Sequence, residues 1–247
     1  AMALKERGNE LLRAGEARKA EVAYSAALSL SPGNVMLLNN RAAARLKLEK
    51  FEEAAADAAA VLERRPADVK ALFRRGQALE GTGDTAGAVA CLRRVVELEP
   101  TNGKAAQELL RVSSAASEAK KKAGNDRMKA GDLEAAVALY TQAVELHASN
   151  VAALNNRAQA RLKLGQHEAA ATDASAVLAL DATNVKALFR RGQARRALGD
   201  ARGAVEDLET VLDLEPANAT AQRMLEEARA LLPQADPGAA APPAAAA

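Results

Sequence analysis

A chain of 247 residues that is 49% hydrophobic, 2% aromatic and without Trp builds its core mostly from Ala, Leu and Val, and is long enough for one large domain or two modest ones. Its 34 basic and 32 acidic residues, net charge +2, argue against a nucleic-acid binder, which carries a basic excess, and the single Cys91 excludes an internal disulfide framework. No apolar run approaches about 18 residues and residues 1–20 are charged throughout, so neither a membrane span nor a secretory leader is expected, and the default setting is cytoplasmic.

Residues 3–15 carry Leu4, Gly8 and Leu11 at helical spacing and predict a helix broken by Gly15. Residues 17–30 predict a second helix, stopped by Ser31-Pro32-Gly33. Small residues such as Gly8 and Ala20 fall where the two must touch closely. This pair recurs every 34 residues: Pro32, Pro66 and Pro100 are in step, as are Gly8, Ala42 and Gly76, and Ala20, Ala54 and Ala88. A variable position holds Tyr24, Ala58 and Leu92. Residues 103–116, GKAAQELLRVSSAA, predict one further helix. It either runs on into the next helix, since no Gly or Pro separates Lys104 from Ala123, or breaks at Ser113-Ser114. The pattern then restarts 116 residues on, with Gly124, Ala136, Tyr140 and Ala143, and closes with Gly192, Ala204, Leu208 and Pro216. Ala148 and Ala182 stand where Pro is expected. Residues 219–232, ATAQRMLEEARALL, predict an amphipathic capping helix, and residues 233–247, PQADPGAAAPPAAAA, a disordered or extended Pro/Ala-rich tail. No window alternates with period two for long enough to argue a strand, so the expected class is all-α.

This 34-residue helix–turn–helix pattern resembles the tetratricopeptide repeat family over residues 2–232. The large aromatic often seen early in the first helix of that family is replaced by Leu4, Leu38 and Leu72. The resemblance implies an α-solenoid whose first helices line a concave groove. It divides the chain into a module of residues 1–116 and a module of residues 117–232, each of three repeats plus a capping helix. The text RAAARLKLEKFEEAAADAAAVLERRPADVKALFRRGQALE is most similar to the repeat domain of the myosin-directed co-chaperones, while the tandem layout is similar to two-module adaptors of heat-shock proteins 70 and 90.

In the third unit the expected buried stripe is Leu72, Gly76 and Leu79. Two residues out of phase, about 200° around the helix, lie Lys70, Arg74 and Gln77. The same phase selects Lys5, Asn9 and Leu12 in the first unit and Met36, Asn40, Ala43 and Lys47 in the second. If first helices line the groove, Lys5, Asn9, Asn40, Lys70 and Arg74 converge there: three cations, two amides and no carboxylate. Such a set suits a ligand with two carboxylates close together, because charge-assisted hydrogen bonds are the strong ones. Adding 116 gives Lys121, Asn125, Asn156, Lys186 and Arg190, the same residue types in the same order.

The five-residue set resembles the dicarboxylate clamp of co-chaperone tetratricopeptide domains. That resemblance implies a partner: the acidic C-terminal Glu-Glu-Val-Asp tail of heat-shock protein 90 or heat-shock protein 70. It assigns Lys5, Asn9 and Asn40 to the terminal carboxylate, Lys70 to the Asp side chain and Arg74 to the peptide just upstream. Lys121, Asn125, Asn156, Lys186 and Arg190 take the same parts in the second groove. Leu12, Ala43, Gln77, Met128, Gln159 and Gln193 would line pockets for upstream residues. The competing reading is a scaffold that uses the groove without reading a carboxylate; solvated Lys and Arg on a helix face are common. Arg75 and Arg191 have no ligand role in either reading. No cofactor, metal or catalytic set is expected: His147 and His167 read as exposed surface residues, Phe73 and Phe189 as packing, and no phosphate loop or Ser/His/Asp spacing is present.

Overall fold

The computed structural model describes residues 1–232, so the expectation for the 233–247 tail lies outside the described residues. Among them are thirteen α-helices and no strand. The first pair is α1 (Met2–Arg13) and α2 (Ala17–Leu30), followed by α3 (Val35–Lys47), α4 (Phe51–Arg64), α5 (Val69–Gly81) and α6 (Thr85–Leu98). Then come α7 (Gly103–Lys129), α8 (Leu133–Leu146), α9 (Val151–Lys163), α10 (His167–Leu180), α11 (Val185–Ala197), α12 (Ala201–Leu214) and α13 (Ala219–Ala230). The chain divides into two compact units, Ala1–Ala119 with Glu145–Ala148, and Lys120–Val144 with the described residues from Ser149 on.

Local chemistry sets the ends of these helices. α1 stops at Arg13, two residues before the expected break, and Gly15 turns the chain at φ +83°. The same turn recurs at Gly83, Gly131, Gly165 and Gly199, but in the second repeat Glu49 adopts φ +57°. A side chain there is strained, because Cβ crowds the following carbonyl. Helices α3, α5, α9, α11 and α13 open on Asn or Asp caps: the Asn34 carboxamide oxygen accepts from the Met36 and Leu37 amides, and Asp68, Asn150, Asn184 and Asn218 each accept from the amide three residues on. α7 runs unbroken through Ser113 and Ser114, which settles the choice left open at that point. Ser113 stays helical with its hydroxyl donating back to the Leu110 carbonyl at 3.3 Å.

Within each repeat the two helices pack directly, and first helices of successive repeats also touch, α1 with α3 and α3 with α5, α9 with α11 and α11 with α13. Close approach needs small residues. Ala20, Ala27, Ala42, Ala44, Ala54 and Ala58 are fully buried, and a Cβ on Gly8 would lie 2.5 Å from Cε1 of the buried Tyr24. Tyr140 and Gly124 repeat that contact. Burying an aromatic side chain of this kind contributes on the order of 2 kcal/mol.

Three carboxylates are buried between helix pairs. Asp57 receives Arg41 at 2.7 and 2.9 Å and Arg45 at 2.7 Å. Asp173 receives Arg157 and Arg161 in the same way, and Asp207 receives Arg191 and Arg195. Arg191, without a ligand role, thus has a structural one. Its counterpart Arg75 faces Cys91, which stands where the second, fifth and sixth repeats carry Asp57, Asp173 and Asp207. Burial pushes the Cys91 thiol up, which keeps it protonated. His147 and His167 are half-buried rather than exposed, and the described residues hold no cluster of three metal-ligating side chains.

Candidate functional site: two polar grooves

The groove of the first unit is built from α1, α3 and α5. Lys5 and Asn9 lie one turn apart on α1, and both are half-buried. The Asn9 Oδ1 accepts the Tyr24 hydroxyl at 2.8 Å and the Asn40 Nδ2 at 2.9 Å, so α1, α2 and α3 meet at one amide oxygen. Lys70 is exposed on α5, and one turn on Arg74 is half-buried, its Nη1 donating to the Asn39 Oδ1 at 3.0 Å. Asn39 in turn donates to the cap residue Asp68 at 3.3 Å. Burial pulls the Arg74 guanidinium below its usual pKa, and Asp68 opposes that shift. Arginine remains protonated nonetheless, so the groove holds a partly desolvated cation.

Lys70 and Arg74 line a cavity of about 880 Å³ with Ala43, Leu46, Lys47, Val69, Phe73 and Gln77. Asp68, Glu99, Asn102 and Lys104 complete the lining, and the Lys104 ammonium sits 5.3 Å from the Phe73 ring centroid. Phe73 also packs against two core clusters, so it serves both surfaces. Leu12 packs against the core of the first unit.

The second unit repeats the arrangement. The Asn125 Oδ1 accepts Tyr140 Oη and Asn156 Nδ2, each at 2.8 Å, and Arg190 Nη1 donates to Asn155 Oδ1 at 2.9 Å. Asn125, Met128, Asn156 and Gln159 line one cavity of about 280 Å³ together with Lys129 and Tyr140. Lys121 is half-buried on α7, and Lys186 is exposed on α11, one turn before Arg190. Gln193 is half-buried on α11. Two differences stand out. Arg190 Nη2 also donates to Gln159 Oε1 at 3.0 Å, where the first unit has Ala43. Asn155 donates to Asn184, which replaces Asp68 with a neutral cap, and burial alone lowers the pKa of Arg190.

Lys5, Lys70, Arg74, Lys186 and Arg190 form no ion pair with a carboxylate among the described residues. Arg74 and Arg190 donate to neutral amide oxygens, and Asn39 behind Arg74 donates to the Asp68 carboxylate. The sequence reading missed Asn39 and Asn155, which hold the two arginines, and the role of Tyr24 and Tyr140. The doubled Asn-Asn at 39–40 and 155–156 was the available signal: on a helix, adjacent residues face directions about 100° apart, one inward and one to the groove.

A stack of helix pairs with a cation-bearing groove on its first helices defines an α-helical repeat protein. Tetratricopeptide repeat models match residues 40–103, 121–185 and 185–218, and the chain belongs to the tetratricopeptide repeat family. It is 37% identical over 118 residues to protein unc-45 homolog B of Mus musculus, covering 47% of this chain and 13% of that protein. It is 36% identical over 98 residues to the Hsp70-Hsp90 organizing protein of Triticum aestivum, covering 40% of this chain and 17% of that one. The chain therefore aligns with less than a fifth of the length of either relative. Among solved structures, the first tetratricopeptide domain of Spaghetti (RPAP3) bound to the HSP90 peptide SRMEEVD is 33% identical, covers 47% of this chain and 93% of that chain, and superposes with a TM-score of 0.47. No helix among the described residues is long and apolar enough to cross a membrane.

Proposed function

We propose that the protein is a non-enzymatic co-chaperone adaptor, each of whose two grooves binds the free C-terminus of an acidic peptide, the Glu-Glu-Val-Asp tail of heat-shock protein 90 or heat-shock protein 70. In this reading Lys5, Asn9 and Asn40 take the terminal carboxylate, Lys70 the Asp side chain and Arg74 the upstream peptide. Lys121, Asn125, Asn156, Lys186 and Arg190 act likewise in the second groove. The observation that carries it is the donor set: a half-buried guanidinium and an amide pair, each bonded to neutral oxygens, in duplicate, with no carboxylate paired to Arg74 or Arg190. A partly desolvated cation with no direct ion pair gains most from an anionic ligand. The name of the wheat relative supports the choice of heat-shock partners.

Titration calorimetry with a Glu-Glu-Val-Asp peptide tests the reading. The free acid binds at micromolar Kd, about −8 kcal/mol, and Lys70→Ala or Lys186→Ala removes a charged hydrogen bond from its own groove, about 1.5–3 kcal/mol. Undiminished binding in the double variant would leave the scaffold reading standing instead.

A further inference from the structure

The chain contains two tyrosines, and both occupy the same place in their units. Packing accounts for their rings, which are buried against Gly8 and Gly124. Packing does not account for their hydroxyls, because Leu92 and Leu208 fill the equivalent position of other repeats with apolar groups. Each hydroxyl lies 2.8 Å from a groove asparagine, Tyr24 from Asn9 and Tyr140 from Asn125.

A primary amide is two-faced, with a double acceptor on oxygen and two donors on nitrogen. Asn9 can meet a carboxylate only with its nitrogen; its oxygen would repel one. The Tyr24 hydroxyl and the Asn40 Nδ2 both converge on Asn9 Oδ1, so that oxygen's two lone pairs are filled from inside the protein. Its Nδ2 has no partner among the described residues and keeps both hydrogens for the groove. Turning the amide over would bring its nitrogen against the Asn40 nitrogen, donor against donor. Turning both amides would leave the buried phenol hydrogen without an acceptor, a costly state for a buried donor. Burial also raises the tyrosine pKa above its usual value in both units, which keeps the phenol protonated and donating.

We infer that the Tyr24 and Tyr140 hydroxyls are positioning groups that lock Asn9 and Asn125 with their amide nitrogens facing the ligand carboxylate. Both side chains are buried, at 0% and 1% exposure, and act through the asparagines they hold. The inference rests on the carboxylate reading for its consequence, but the orientation itself exists without ligand.

Tyr24→Phe and Tyr140→Phe keep the rings and remove the hydroxyls. Each is made in the full chain with the other groove disabled by Lys186→Ala or Lys70→Ala. Two readouts are needed. In the ligand-free protein, heteronuclear NMR of the Asn9 side-chain amide shows one hydrogen-bonded conformer in wild type and a shifted or exchanging pair in Tyr24→Phe. By calorimetry, the free-acid peptide loses about tenfold in affinity while the C-terminal amide peptide changes little, so discrimination between them narrows. An unchanged NMR signature together with unchanged acid affinity overturns the inference. So does equal loss of acid and amide binding alongside a lowered melting temperature, which marks a packing role. If wild type binds acid and amide equally, the functional reading fails, and the NMR arm still decides the role of the tyrosine.

Discussion

The two units carry the same amide-and-arginine geometry to within about 0.1 Å in its key hydrogen bonds, yet the residues around that geometry differ. In the first unit Asp68 stands behind Asn39, Ala43 leaves Arg74 with one bonded neighbour, and Lys104 covers Phe73. In the second, Asn184 is neutral, Gln159 holds the free arm of Arg190, and Thr220 replaces Lys104. The lesson is that the amide-and-arginine hydrogen bonds are kept the same while the electrostatic background and the neighbouring side chains are varied. On the proposed function, two grooves of one chemical class would hold the same kind of tail with different strength. The scaffolds differ in parallel: the third repeat of the second unit is pinned by Asp207 between Arg191 and Arg195, whereas the first has Cys91 facing Arg75.

The largest effect that sharpens this comparison is on stability. Asp207→Ala leaves two arginines facing a buried site without their counter-charge and costs about 3 kcal/mol. Cys91→Ala, at the matching position, costs about 1 kcal/mol or less, because the thiol holds no ion pair. Urea unfolding of the full chain compares them; equal costs would mean that the buried ion pairs do not stabilise the second unit.

Next in size is the turn at residue 49. Glu49 adopts the left-handed conformation that Gly165 adopts in the second unit. Glu49→Gly is expected to stabilise the chain by about 0.5–1 kcal/mol by releasing that strain, and Gly165→Ala to destabilise it by about 1 kcal/mol. Thermal melts of both variants moving in the same direction would break the comparison.

The smallest effect is on affinity. Asp68→Asn copies the second unit's cap, keeps the bond to the Ala71 amide, and removes a carboxylate from behind Arg74. Binding of an acidic peptide to the first groove then strengthens about threefold at low salt, with the gain shrinking as ionic strength rises. Asn184→Asp weakens the second groove by a similar factor. Calorimetry in two salt concentrations reads both; a gain that ignores salt would not be electrostatic.

Much of this architecture was legible in the residues before any coordinates. The 34-residue step in Gly8, Ala42 and Gly76 records how closely the helices must pass, and glycines at 15, 83, 131, 165 and 199 mark turns that need positive φ. Other features were not legible, for reasons that are physical. The continuity of α7 through Ser113 is a choice between helix and turn that serine makes in context; here it stays helical, its hydroxyl donating to the Leu110 carbonyl. The inward task of Arg41, Arg157 and Arg191 depends on an aspartate 16 residues away on the partner helix, a recurrent spacing that Cys91 interrupts. Helical phase brought Asn9, Asn40, Lys70 and Arg74 to one face, but side chains that work from behind, such as Asn39 and Tyr24, lie off that face and emerge only when hydrogen bonds are traced.

The central claim is that each groove reads a free C-terminal carboxylate, and one titration addresses it directly: the full-length chain against a Glu-Glu-Val-Asp peptide as the free acid and as the C-terminal amide. Two equivalents of acid bound per chain at micromolar Kd, with the amide at least tenfold weaker, is the predicted result. Equal affinity for acid and amide would contradict it.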